Sequence, residues 1–148
     1  MEVKNITIAI GNQKGGVGKT TSTACIGAAL ALRGKRVLLV DLDAQQHLTF
    51  TLPQNEDPET RIYDTLVKDL PLPIVPIREN LDLVPASLDL ARAEIDMATM
   101  MAREGILKSY LDEQKEKYDY ILMDCSPSLG IVTTNALVAA DKLYLRLP

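Results

Sequence analysis

The segment NQKGGVGKTT, residues 12–21, packs three glycines, two lysines and two threonines into ten positions. Glycines at 15, 16 and 18 let successive backbone N–H groups close around an anion. A helix starting near Gly18 adds the positive end of its dipole. Lys19 then reaches the outer phosphates of a nucleotide, and the Thr20 hydroxyl has the position of a magnesium ligand. The strict GxxxxGK[ST] pattern asks for glycine at its first place, where this chain has Gln13. The variant KGGxGKTT leaves a second lysine, Lys14, with no role in a simple phosphate cradle. Further carboxylates close two apolar runs: Asp41 and Asp43 follow VLLV, and Asp124 follows YILM. A carboxylate at the end of a buried strand is costly unless it meets a cation, a donor or a water that it orients.

Alternating strands and helices are needed to bring these residues together. Ile6, Ile8 and Ile10 alternate with Thr7 and Ala9 before Gly11, as in a strand. Over residues 19–32, Cys25, Ala28, Ala29 and Leu32 recur at helical spacing and predict a packed face, with Gly34 as the stop. The continuous run 37–40 reads as a strand buried on both sides. TLPQNEDPET reads as an exposed loop and RIYDTLVKDL as a short helix, while three prolines in PLPIVPI exclude an interior helix. NLDLVPAS gives a third strand, and residues 96–117 a helix with Met100, Leu107 and Leu111 on one stripe. YDYILMDCSPS, residues 131–140 and DKLYLRLP complete the pattern as strand, helix and fifth strand. The Met97, Met100 and Met101 group reads as core packing and His47 as a loop side chain. This order predicts an α/β fold with a doubly wound, mostly parallel sheet and helices on both faces.

The chain has 148 residues, one domain's worth, and a mean hydropathy near zero. A net charge of −4 and a pI near 5.0 exclude a strongly basic nucleic-acid footprint and leave a local basic patch open. Cys25 and Cys125 follow no metal-ligand spacing and read as reduced thiols in apolar surroundings. No signal peptide and no apolar run long enough for a membrane span is visible, so a cytoplasmic protein is expected.

KGGVGKTT resembles the deviant Walker A motif of the ParA/MinD (Soj-like) family of P-loop ATPases. VLLVDLDAQQHLT is similar to the family's second motif, commonly DxDPQGN followed by a small residue or Thr, with Ala44, Gln46 and His47 departing from it. YILMDCSPSLG resembles its Walker B strand and switch region, with Ser126 in place of a proline. The resemblance implies a P-loop NTPase-like fold over residues 1–148, incomplete at its C-terminus because relatives continue for roughly another domain's length of the smaller kind. It implies ATP and Mg2+ as cofactors and slow ATP hydrolysis in plasmid or chromosome segregation. Phosphates would be bound by Gly15, Gly16, Val17, Gly18, Lys19, Thr20 and Thr21, and magnesium by Thr20, Asp41 and Asp124. Lys19 would act in cis, Lys14 in trans across an ATP-bound homodimer, and Asp43 would position the attacking water. Gly130 would let the switch segment move. Expected partners are a ParB-type activator and, in the full-length form, nonspecific DNA. Alternatives are a nucleotide-binding module without turnover, and a MinD-like or metabolic P-loop ATPase.

Overall fold

The computed structural model describes residues 5–12 and 19–146. Six strands, β1 (Ile6–Asn12), β2 (Val37–Leu42), β3 (Val75–Arg78), β4 (Leu81–Val84), β5 (Tyr120–Cys125) and β6 (Lys142–Arg146), form one sheet in the order β3-β4-β2-β5-β1-β6. Every neighbouring pair is parallel except β3 with β4. The first two strands of the chain are therefore not neighbours, because β5 lies between them. The fold is the mostly parallel, helix-covered sheet that the alternation predicts, with one strand more than expected. β3 arises within PLPIVPI, and Pro76 is tolerated because β3 is the edge strand.

Side-chain alternation divides the interior in two. On one face Ile10, Val37, Leu39, Leu81, Leu83 and Leu122 pack under α1 (Lys19–Leu32) and α2 (His47–Thr51). On the other, Ala9, Leu38, Val40, Leu42, Ile121 and Met123 pack under α3 (Ile62–Lys68), α4 (Ala93–Asp96), α5 (Ile106–Asp112) and α6 (Ile131–Ala139). Burial of consecutive residues in β2 follows from this covering on both sides.

The packed face of α1 differs from the expected one. Thr23, Gly27 and Ala31 face the sheet, whereas Cys25 is exposed and Leu32 is 76% exposed. Close approach sets this choice: a Cβ on Gly27 would come within 2.8 Å of the buried Leu39 side chain, so the smallest residue takes the contact. The helix ends as predicted. Gly34 has φ +83°, its N–H donates to Ala31 O, and Lys35 N–H donates to Leu30 O, a Schellman closure.

The helix expected over residues 96–117 is broken. Ala102 has φ 51°, and α5 starts afresh at Ile106. Its N-terminus is capped from a distance: the Asn135 carboxamide in α6 accepts from Leu107 N at 3.0 Å and donates to Arg103 O and Ile131 O, both at 2.9 Å. Met97 is fully buried and Met100 packs against the core, but Met101 is 92% exposed, so the methionine group is only partly core.

Candidate functional site

The carboxyl ends of the central strands carry the acidic residues of the candidate site. Ile10, Asp124 and Asp41 are successive register partners across β1, β5 and β2. Asp41 is two residues past Leu39 and Asp124 two past Leu122, so both lie on the face covered by α1. Both are fully buried. β1 ends two residues beyond this row, at Asn12, and the glycine segment follows. Lys14, Gly15, Gly16, Val17 and Gly18 lie outside the described residues. Lys19, Thr20 and Thr21 open α1, with side chains outside the described set.

Asp41 is held at both oxygens. Oδ2 accepts from Thr49 N at 2.9 Å and from Thr49 Oγ1 at 2.6 Å, and Oδ1 accepts from Asp43 N at 3.1 Å. Burial pushes its pKa up to about 6; the Thr49 and Asp43 hydrogen bonds oppose that rise, and the nearby Asp124 charge adds to it.

Asp43 starts a tight turn. Its Oδ1 accepts from Gln45 N at 3.0 Å and its carbonyl from Gln46 N at 2.9 Å. Gln46 stands where the resembled motif has glycine and still takes a left-handed backbone, φ 61°. The turn leads directly into α2, which His47 opens, so His47 is helical rather than a loop residue. Asp43 and His47 line a cavity of about 600 Å3, bounded on its far side by Glu94, Ser126, Ser128 and Gly130.

The segment after β5 is braced. Thr133 Oγ1 donates to Ser128 O at 2.6 Å, and the Glu94 carboxylate accepts from Ile131 N at the start of α6. Gly130 has an ordinary φ of −86°, and a Cβ there would overlap the Glu94 carboxylate. An alanine there would have to displace the end of the Glu94 side chain. Cys125 is buried beside the site, its thiol directed at Met123 O.

Sequence reasoning missed Thr49 and Glu94. A threonine after the DxD motif was the one signal for Thr49, and Glu94 had none. The donor chemistry fits magnesium, which uses one or two carboxylates and fills its other positions with water and phosphate oxygens. Among the described residues no group of three or more His, Cys, Asp or Glu forms a cage for another metal. None of the described helices is long and apolar enough to cross a membrane.

A parallel sheet with two acidic strand ends beside a glycine-rich strand–helix junction defines a P-loop nucleoside triphosphatase fold. A family model described as an AAA domain matches residues 5–147, and the chain belongs to that family, in its ParA/MinD-like P-loop ATPase branch. It is 49% identical over 142 residues to the sporulation initiation inhibitor protein Soj of Bacillus subtilis, covering 93% of this chain and 56% of that protein. It is 43% identical over 145 residues to the chromosome-partitioning ATPase Soj of Treponema pallidum, covering 95% and 56%. Among solved structures, cobyrinic acid a,c-diamide synthase from Mycobacterium smegmatis, with bound ATP analog and magnesium, superposes with a TM-score of 0.88. Its identity is 42%, covering 95% of this chain and 59% of that one. The chain thus spans a little over half the length of these proteins.

Proposed function

We propose that residues 1–148 are a portion of the ATPase domain of a ParA-type partition protein that binds Mg-ATP and hydrolyses it slowly in plasmid or chromosome segregation. The observation that carries this reading is the buried row of Asp41 and Asp124 beside β1, whose end feeds the glycine segment. The Treponema relative's name, a chromosome-partitioning ATPase, supports the same role, and the ATP analog and magnesium in the mycobacterial structure support the cofactors.

In this reading Gly15, Gly16, Val17, Gly18 and Thr21 cradle the phosphates and Lys19 neutralises the outer ones in cis. Lys14 reaches the nucleotide of the partner in an ATP-dependent sandwich dimer, where a second cation offsets charge developing on the transferred group. Thr20, Asp41 and Asp124 hold Mg2+, which when bound neutralises charge between the phosphates. Asp43 orients the attacking water; its backbone tie to Asp41 and its place on the cavity wall support that role. The expected partners are a ParB-type activator and nonspecific DNA, and the expected site of action is the cytoplasm.

Sedimentation with magnesium and a non-hydrolysable ATP analogue tests this. A nucleotide-dependent dimer that Asp124→Asn abolishes is expected, and a monomer throughout contradicts the sandwich. The likeness to a synthase favours a second reading, a biosynthetic ATPase of the same fold. ATP consumption that depends on an added acid and an amide nitrogen donor would favour it.

A further inference from the structure

Thr49 sits on α2, 4% exposed, against the carboxyl ends of the paired strands β2 and β4. Its hydroxyl accepts a hydrogen bond from Ala86 N, just past the end of β4, at 3.0 Å. The same hydroxyl lies 2.6 Å from Asp41 Oδ2. An amide N–H is only a donor, so the hydroxyl must be the acceptor there, and its single hydrogen points to Asp41. The direction of this O–H is therefore fixed by a strand end remote in sequence. Together with the Thr49 N–H it fills both acceptor positions of Oδ2. Oδ1 takes one bond, from Asp43 N, among the described residues and keeps one acceptor position.

We infer that Thr49 is a positioning residue for magnesium-dependent nucleotide binding. It occupies Oδ2 so that only Oδ1 of Asp41 is presented to the magnesium shell. This also fixes Asp43, because the carboxylate that Thr49 anchors is the one that holds the Asp43 backbone. A hydroxyl free to rotate would let the Asp41 carboxylate turn and lose both effects. The inference rests on the Mg-ATP reading and assigns a role to the threonine that closes the second motif.

The test is the affinity of a fluorescent ADP analogue for the 148-residue chain, measured in excess magnesium and again in EDTA. Wild type is compared with Thr49→Val, Thr49→Ala and Thr49→Ser, all with folding checked by circular dichroism. Hydrogen-bonding partners of metal-site carboxylates typically contribute ten- to a hundredfold to metal affinity. The expected result is a loss of about tenfold or more in the magnesium-dependent gain of Thr49→Val and Thr49→Ala, with affinity in EDTA within about twofold of wild type. Thr49→Ser, which keeps the hydroxyl, restores the gain. A full magnesium gain in either hydroxyl-free variant overturns the inference. An equal loss with and without magnesium that Thr49→Ser does not repair also overturns it, since that is a folding effect. Wild type that binds no nucleotide in either condition overturns the Mg-ATP reading and this inference with it.

Discussion

Asp41 and Asp124 are register partners on adjacent parallel strands, both fully buried and both on the α1 face. Burial raises the cost of ionising Asp41, and the nearby Asp124 charge adds to it.

A pH dependence of the nucleotide-free protein follows. With Asp41 titrating at about 6 in the folded chain and near 3.8 when unfolded, the folded state binds more protons between these values. Stability from this group is full below pH 4 and lost as pH rises through 6, by about 3 kcal/mol. Asp41→Asn has no such titration. Urea unfolding at several pH values is expected to show the variant gaining on wild type by about that amount between pH 4 and 7. Parallel curves would sink the assignment.

Gln46 holds a left-handed backbone where the related motif has glycine. A side chain there costs roughly 1–2 kcal/mol, partly offset by the extra freedom glycine gives the unfolded chain. Gln46→Gly is therefore expected to stabilise the protein by about 0.5–1 kcal/mol in denaturant titration. A loss of stability would mean that the Gln46 side chain makes a compensating contact.

The Glu94 carboxylate and Gly130 occupy one space at the start of α6. Gly130→Ala would displace the carboxylate from Ile131 N, and Glu94→Ala removes it. Each is expected to cost about 1 kcal/mol, the value of a helix cap. The double variant should cost little more than either single one, a coupling visible in a double-mutant cycle. Additive losses would mean that the two residues act separately.

Asn135 is buried and serves three backbone groups. Asn135→Ala leaves the Leu107 N–H without its acceptor, removes the bonds to Arg103 O and Ile131 O, and is expected to destabilise by about 2–4 kcal/mol. Hydrogen exchange should locate the loss at α5 and α6, and a uniform change across the sheet would contradict this account.

These cases also show what was legible in the sequence. Strands β1, β2, β4 and β5 declare themselves through apolar runs, and Asp41 and Asp124 stand out as acids closing two of them. Gly34 marks the end of α1 because its role is local. The break at Ala102 is not legible, since it depends on Asn135 capping α5 from another helix. β3 hides in a proline-rich segment because only its position at the edge makes Pro76 harmless. The sheet-facing side of α1 is not legible in the spacing of Cys25, Ala28, Ala29 and Leu32, because the close approach of Leu39 selects the Gly27 side instead. Thr49 carries little signal alone. Its role depends on Ala86, whose approach is set by the pairing of β4 with β2.

The most direct test of the account is ATP turnover by the 148-residue chain, with and without magnesium, beside Lys14→Ala and Lys19→Ala, with nucleotide binding and light scattering on the same samples. Magnesium-dependent turnover lost in both variants, with binding lost only in Lys19→Ala, is the predicted result. Nucleotide bound without turnover, by a monomer that Lys14→Ala leaves unchanged, would contradict it.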